Sequence, residues 1–423
     1  MTTIQALGGS GENGRNCYAV SDDTGCFLFD CGVKREVYGD RVGDYPLLTR
    51  ELVQSLDAVF LSHVHEDHCA ALPLLARYGY RGPVCASEES IESVYSYIHK
   101  WMRFVRNRGG RLPYDEADVR ALSFVPLWPG WNTLPAGKGK TARTVCCGRT
   151  GHMLGSLWFA LTLDGHRFFY SGDIVSHPLL LKQDRPEPAD TVILDCGYAG
   201  STMRQEEQTG RLLEEIRSTL SAGGKVLLPL PPKGRGADLL VLVARTFPQV
   251  PIYADTEFRE YVSFLLERKD WLQDGVSLPA AENVHYVQND GERHAVCGQK
   301  GPALILSQDG MLAAPQGLVY YNALKGDARS KVIVTGHTGK GTEGSLLWDD
   351  AYCRENGIRI RRCRIIYKVH FDAGDLLDGI RILRPRRVVL FHAPRADCTA
   401  VLERLSGLGI DARCLSPGEI WNF

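Results

Sequence analysis

Short apolar runs separated by glycine-rich turns fill residues 1–200 of the chain. Five of these runs have the length and residue types of buried strands, at residues 26–29, 58–61, 157–162, 168–170 and 191–194. Apolar residues recur at helical spacing in only two places here, which predicts helices over 47–56 and 87–106. The pattern therefore predicts a strand-rich α/β half.

The pattern changes after Gly200, where helical spacing alternates with short β-type runs. Leucine and isoleucine positions over 212–220 predict a helix that stops at Gly223-Gly224. The alternation continues as predicted strands and helices at 226–230, 237–246, 252–254 and 256–268. It ends with a predicted strand, helix, strand and helix at 365–369, 374–383, 388–391 and 398–405. Such alternation is typical of a parallel sheet.

Composition narrows the class of protein. The chain has 423 residues with 49 basic and 50 acidic side chains, so attraction to a polyanion has to come from local patches. The 13 cysteines form no CxxC pair, which favours reduced thiols in a reducing compartment. We find no signal peptide at the start and no run of 18 apolar residues, so we expect a cytoplasmic protein without a membrane segment.

Metal-ligand residues are concentrated directly after the predicted strand at 58–61, where the chain reads Ser-His-Val-His-Glu-Asp-His. This loop contributes His63, His65, Asp67 and His68, which are imidazole and carboxylate ligands suited to Zn²⁺ or Mn²⁺. A loop leaving a strand can turn the first two toward one ion and the last two toward another. A chance polar loop or a single structural zinc is the alternative. His152 and Asp173, each beside a glycine, are further candidates.

Asp30 in Phe29-Asp30-Cys31-Gly32 precedes these ligand residues. Taken in chain order, the whole series resembles the motifs of the metallo-β-lactamase fold. The resemblance implies two Zn²⁺ ions, with Mn²⁺ as the alternative. The first ion would be held by His63, His65 and His152. The second would be held by Asp67 and His68, while Asp173 would bridge both ions and Asp30 would orient a ligand. Cys69-Ala70 departs from the usual sequence after His68.

Three residues further along the chain resemble motifs A, B and C of the β-CASP nucleases, the branch that contains RNase J and the pre-mRNA cleavage endonuclease. They are Asp195, His370 and His392. The resemblance implies that His370 protonates the leaving oxygen, oriented by Asp195, and that His392 completes the second zinc site. It also implies a four-layer αββα metallo-β-lactamase domain over 1–200 and 362–423, with an inserted α/β domain over 201–361 that has a parallel sheet flanked by helices.

Shorter segments of the inserted region also resemble the β-CASP pattern, and they make Arg235, Ser307, Thr335 and Gly336 candidate RNA contacts. Gln308-Asp309 departs from it, because small residues are usual there. A separate stretch, 97–111, carries five basic residues and no acidic one, interleaved with Trp101 and Phe104, which suits phosphate contacts and base stacking. A solvated helix face is the alternative for this stretch.

These observations together predict a two-metal ribonuclease that cleaves single-stranded RNA, with Asp67, His370 and Asp195 as its catalytic residues. The resemblance also suggests a homodimer or a larger RNA-processing complex. A hydrolase of a small ester or thioester, a DNA-directed nuclease of the same branch and a non-catalytic scaffold are the rival hypotheses.

Overall fold

The structure, a computed structural model, describes residues 1–38, 41–134, 143–163, 165–276 and 283–423. The chain divides into two compact units. Unit 1 comprises Met1–Pro178, Lys182–Thr202 and His370–Phe423, and unit 2 comprises Leu179–Leu181 and Met203–Val369. Residues 362–369, which the sequence analysis grouped with the final part of the first domain, thus pack with unit 2.

The first part of unit 1 is rich in strands. Its strands are β1 Thr3–Gly8, β2 Cys17–Asp22, β3 Gly25–Phe29, β4 Lys34–Tyr38, β5 Arg41–Asp44, β6 Ala58–Phe60, β7 Val84–Ser87, β8 Phe124–Leu127, β9 Gly130–Thr133, β10 Thr144–Arg149, β11 Leu157–Leu163, β12 His166–Tyr170 and β13 Thr191–Asp195. Its helices are α1 Arg50–Ser55, α2 Glu66–Cys69, α3 Pro73–Arg77, α4 Glu88–Asn107 and α5 Glu116–Arg120. All five strands predicted in this half are present.

Unit 2 alternates helix and strand. Its helices are α6 Gln205–Ser221, α7 Arg235–Thr246, α8 Thr256–Leu266, α9 Asp290–Gly298, α10 Pro315–Leu324, α11 Glu343–Leu346 and α12 Asp350–Glu355. Its strands are β14 Lys225–Pro229, β15 Ile252–Asp255, β16 Val284–Val287, β17 Ala303–Ser307, β18 Lys331–Val334 and β19 Arg361–Arg364, and a 3₁₀ turn covers Lys269–Trp271. The six strands form one sheet in the order β16-β15-β17-β14-β18-β19, and every pairing is parallel.

The last part of the chain returns to unit 1 as α13 Ala373–Leu383, β20 Arg387–Phe391, α14 Arg395–Gly407, β21 Asp411–Arg413 and β22 Ile420–Asn422. The strand predicted over 365–369 is wrong, because the last strand of unit 2 ends at Arg364 and residues 365–369 form none. Ile365 and Tyr367 instead donate their backbone N–H groups to Val334 and Thr335, so apolar burial there does not require a strand.

Two seven-stranded sheets make up unit 1, in the orders β22-β1-β2-β3-β6-β7-β8 and β21-β20-β13-β12-β11-β10-β9. Side chains alternate between the faces of each strand. On the first sheet, Leu28 and Val59 point into a cluster with Ile98 and Met102 of α4. On the second, alternate residues pack with α13 and α14 in a separate cluster. The helices thus cover the outer faces, and together with the parallel sheet of unit 2 this confirms the predicted α/β fold.

An aromatic layer fills the space between these two sheets. Phe29 of the first sheet lies 5.1 Å from Phe168 and 5.3 Å from Tyr170 of the second, measured between ring centroids. Phe60 lies 5.2 Å from Phe159, and all five rings are buried. Buried aromatic pairs contribute about 0.5–1.5 kcal/mol each beyond their area, so this layer fixes the strand ends against each other.

No helix among the described residues is long and apolar enough to cross a membrane.

We expect Phe159→Ala to lower the free energy of unfolding of unit 1 by about 3–5 kcal/mol, because it leaves a cavity in the aromatic layer. Urea denaturation followed by fluorescence would measure this change. Trp131→Ala is the matched control, since the side chain of Trp131 is 63% exposed and its removal creates no cavity. Equal losses in the two variants would contradict this account of the core.

Candidate metal centre

Residues 62–68, which we call the histidine-rich loop, follow β6 and are held against the loop that follows β3. Cys31 N–H donates to the carbonyl of His68 at 2.8 Å, and Val33 N–H donates to that of Glu66 at 3.1 Å. Between them, Gly32 has no side chain, and a Cβ there would lie 1.7 Å from the carbonyl oxygen of Asp67. The close approach of the two loops therefore requires glycine at this position, and it presents the ligand side chains as one rigid group.

A first set of ligand atoms converges around His65. Its Nδ1 lies 3.0 Å from Nε2 of His63 and 3.1 Å from Nε2 of His152. Oδ2 of Asp173 lies 3.4 Å from Nε2 of His63 and 3.5 Å from Nε2 of His152. The structure thus brings together the three histidines and the bridging aspartate that the sequence analysis assigned to the first ion.

A second set lies on the other side of Asp173. Oδ2 of Asp67 is 3.1 Å from Nε2 of His392 and 3.7 Å from Nε2 of His68. Oδ1 of Asp173 is 3.2 Å from Nε2 of His68. All seven residues predicted as metal ligands are therefore in one cluster, and Asp173 lies between its two halves.

The donor atoms have the spacing that a divalent cation requires. Adjacent ligands around Zn²⁺ at about 2.0–2.1 Å are separated by about 3.3 Å in a tetrahedral site, and four of the donor–donor distances in the first set are 3.0–3.5 Å. Asp173 is 1% exposed, and its Oδ1 has no hydrogen-bond donor among the described residues. A buried carboxylate oxygen without a donor is costly unless a cation satisfies it, so the residues present fit a metal.

Asp30 holds the second set in place from behind. Its Oδ2 accepts hydrogen bonds from the Tyr170 hydroxyl at 2.6 Å and from the Ser62 hydroxyl at 2.7 Å, and it lies 2.7 Å from Nδ1 of His68. Its Oδ1 accepts from the Ser62 N–H at 2.6 Å. With Nδ1 of His68 bound to Asp30, Nε2 of that ring is directed toward the metal ligands.

Electrostatics within the cluster also suit a cation. Burial lowers the pKa of His65 to about 3, and burial together with neighbouring imidazoles holds the pKa of His63 below its usual range. Burial opposes ionisation of Asp67 and Asp173, but nearby histidines outweigh it and lower the pKa of both. Burial would likewise lower the pKa of His392, yet Asp173 and Asp67 raise it to about 9. The neutral imidazoles of His63 and His65 beside ionised carboxylates suit a cation, and a cation bound at His392 would displace the proton of that ring.

His370 lies at the edge of the cluster. Its Nδ1 is 3.1 Å from Oδ2 of Asp195 and 3.7 Å from Oδ2 of Asp173. Asp195 is itself fixed, because it accepts from the N–H groups of Ile174 and Gly197. A Cβ on Gly197 would lie 2.8 Å from the His370 ring, so glycine there lets the imidazole approach Asp195. The three positions predicted from motifs A, B and C thus all border the metal ligands.

The four residues predicted to contact RNA, which are Arg235, Ser307, Thr335 and Gly336, all lie in unit 2. Arg235 lies against Gly336, where a Cβ would be 2.4 Å from its guanidinium. Ser307 and Thr335 are fully buried. The Ser307 hydroxyl donates to Asp255 at 2.5 Å, so Ser307 supports the end of its strand, and its prediction as an RNA contact has no geometric basis.

Sequence reasoning missed Ser62, Tyr170 and Asn16. The first two contact Asp30, and Nδ2 of Asn16 lies 2.9 Å from Nε2 of His68. Ser62 and Tyr170 could have been found from the sequence by one signal, which is a polar residue at the end of a buried strand. Asn16 comes from the turn before β2, and only the packing of that turn on the histidine-rich loop brings it to the site.

Comparisons with known proteins agree with this geometry. The profile of the Beta-lactamase superfamily domain matches residues 26–230. A transcription termination factor, FttA, of Methanocaldococcus jannaschii is 25% identical over 93% of this chain and 67% of its own length. An RNase J-like protein of the same organism is 25% identical over 93% of both chains. The FttA of a Lokiarchaeum is 28% identical over 81% of this chain and 57% of its own.

The chain spans about two thirds of the length of most of the termination factors it matches. Among solved structures, a protein of unknown function from Enterococcus faecalis superposes with a TM-score of 0.62. The match covers 99% of each chain at 15% sequence identity, so it shows a shared fold.

We expect Gly32→Ala to weaken Zn²⁺ binding by about 10–100-fold, because the added methyl group displaces the backbone at Asp67 and His68. Isothermal titration of the metal-free protein with Zn²⁺ would measure the affinity. Gly210→Ala in α6 is the control, since a Cβ there meets nothing within 4 Å in the described structure. Unchanged affinity in a folded Gly32→Ala variant would contradict the proposed role of this close contact.

Proposed function

We propose that this chain, whose residues 26–230 match the Beta-lactamase superfamily domain, is a metal-dependent nuclease that hydrolyses phosphodiester bonds of single-stranded RNA. The observation that carries the proposal is the double ligand set, which includes His392 and has Asp173 between its halves, with Asp195 and His370 beside it. The superfamily match and the RNase J-like relative support a metal-dependent hydrolase.

We assign the two ions to the two ligand sets, with Zn²⁺ favoured and Mn²⁺ as the alternative. Imidazole and carboxylate donors suit both metals, and the three imidazoles of the first set favour zinc. Divalent ions held there would polarise the phosphate and activate a water molecule for attack. Asp67 and Asp173 would hold these ions with ionised carboxylates, because the surrounding histidines keep the pKa of both low.

Departure of the ribose oxygen requires a proton, and we assign its delivery to His370. Asp195 accepts the hydrogen bond from Nδ1 of this ring, which orients the imidazole and leaves Nε2 as the atom that donates the proton. Asp195 is fully buried and receives two backbone N–H groups, so it positions His370 without itself reaching the substrate.

RNA is the favoured substrate for two reasons. The RNase J-like protein matches over nearly its whole length, and the FttA proteins carry a name from transcription termination. In addition, His392 is present at the position of motif C, where the DNA-directed branch commonly has another residue. Arg235 and Gly336 of unit 2 remain proposed RNA contacts, since the guanidinium lies against a backbone without a side chain.

Asp67→Asn is expected to reduce RNA cleavage at least about 100-fold, because the amide removes a charged ligand of the second ion. Cys69→Ser is the matched control two residues away. The Cys69 thiol donates to the Val64 carbonyl, a hydrogen bond that serine keeps, and we expect cleavage within about twofold of the natural chain.

The substrate for this comparison is single-stranded or hairpin RNA with a 5′ label, incubated with zinc-loaded or manganese-loaded protein and resolved by product length. Labelled mononucleotide indicates 5′ exonuclease action, and internal fragments indicate endonuclease action. Equal cleavage by Asp67→Asn would contradict the two-metal mechanism. Loss of all nucleic-acid cleavage in a metal-loaded protein that hydrolyses a thioester would favour the small-ester hydrolase.

His370→Gln is expected to slow RNA cleavage by about 10²–10⁴-fold, the usual contribution of general acid catalysis. The same variant should act almost normally on a phosphodiester with a p-nitrophenol leaving group, since that group departs without a proton. Steady-state kcat on both substrates would test this role. A similar fall in kcat on the two substrates would show that His370 holds the site together rather than delivering a proton.

A further inference from the structure

The basic surface beside the metal centre has no role in the mechanism above. Lys100, Arg103 and Arg106 recur every third residue along α4, so they share one face of the helix, and all three are exposed. Arg108 and Arg111 follow in the turn after the helix and are exposed as well. We call these five residues, together with Arg35 and Phe104, the α4 basic face. The opposite face of the helix is buried in the core of unit 1.

Arg35 of this face pairs with Glu66, whereas the five cations of α4 and the turn after it are not neutralised by neighbours among the described residues. Within the described parts of the chain, no carboxylate forms an ion pair with Lys100, Arg103, Arg106, Arg108 or Arg111. The nearby acidic groups have other partners, because Glu66 is bound by Arg35 at 2.8 and 2.9 Å and Glu116 by His99 at 3.1 Å. In a protein whose formal net charge is −1, five unpaired cations on one face form a local field that attracts a polyanion.

Aromatic rings shape the same face. The guanidinium groups of Arg35 and Arg108 lie 4.5 and 4.6 Å from the centroid of the half-buried Phe104 ring. Such contacts hold both groups flat; Nε and Nη2 of Arg35 are bound by Glu66, whereas Arg108 has no carboxylate partner among the described residues and can donate to phosphate. Trp101, which the sequence suggested as a stacking residue, is fully buried in the core instead, so its predicted role in base stacking is wrong.

The face is continuous with the metal centre. Tyr97 lies one turn before Lys100, whose Nζ is 4.7 Å from the centre of the Tyr97 ring, and that ring is 6.3 Å from the ring of the ligand His65. Arg35 is joined to Glu66, which lies between the ligands His65 and Asp67. From Tyr97 to Arg108 the helix rises about 16 Å, so the cations are spread along that length beside the ligand loop.

We propose that the α4 basic face is a track for the phosphates of single-stranded RNA that extends beyond the scissile bond. This inference rests on the proposed function and adds a place for the part of the substrate that is not being cut. Exposed arginines spaced along a helix contact successive phosphates without reading bases. The track therefore favours long RNA over short fragments and does not depend on sequence.

The test uses the full chain with Asp67→Asn in every protein, so that bound RNA is not cleaved. The track variant carries Arg103→Gln and Arg106→Gln. The control variant carries Arg386→Gln and Arg404→Gln, which remove the same charge from exposed positions outside the α4 basic face. Fluorescence anisotropy would give the affinity of each protein for a 20-nucleotide and a 4-nucleotide RNA at several salt concentrations.

We expect the track variant to bind the 20-nucleotide RNA at least tenfold more weakly than the control variant and to bind the 4-nucleotide RNA equally well. In a plot of log affinity against log salt concentration, the slope for the track variant should be shallower than that for the control variant by about 1.4, because two phosphate contacts are lost. Equal affinity of the two variants for the long RNA would overturn the proposal.

Two further results separate the possible failures. Displacement of the RNA by polyglutamate of equal charge would assign the face to an acidic protein and would also overturn the proposal. If the natural chain cleaves no RNA, the proposed function fails, whereas the binding comparison between the two variants still decides whether this face holds RNA.

Discussion

The metal centre depends on one buried carboxylate, that of Asp173. Its two oxygens lie within 3.7 Å of nitrogens from His63, His68, His152, His370 and His392. Burying an ionised carboxylate among imidazoles costs several kcal/mol unless positive charge compensates it. The surrounding side chains are therefore arranged so that their lone pairs and charges meet where cations can lie, and every other feature of the site follows from that arrangement.

Both sheets of unit 1 contribute to this arrangement through the ends of their strands. A ligand follows within three residues of the end of β6, β12 and β20, and Asp195 ends β13. The parallel register aligns these ends, since Tyr170 pairs with Ile193 and Asp195 with Phe391. Because the aromatic layer fixes one sheet on the other, ligands from distant parts of the sequence keep their distances without flexible loops.

Charge divides the surface of unit 1 by function. The metal centre gathers carboxylates and imidazoles, while the α4 basic face beside it gathers five cations, from Lys100 to Arg111, that no described carboxylate neutralises. A nuclease needs both, because the same phosphate backbone has to be held along its length and cleaved at one point. Glu66 links the two regions, since it lies within the histidine-rich loop and binds Arg35 of the basic face.

The sequence by itself determined the ligand residues, the strand-rich first half and the parallel sheet of unit 2. Their signals are local, because each can be read within a short segment of the chain. A dense ligand loop after a buried strand has little packing rationale, and strand–helix alternation is compatible with few folds. It did not determine which polar residues support the ligands. Asn16, Ser62 and Tyr170 meet the site only because separate segments pack together. Nor could it separate Trp101, which is buried, from its exposed neighbour Arg103, or show that the Ser307 hydroxyl is taken up by Asp255. Those contacts join residues far apart in the chain, and only the tertiary structure decides them.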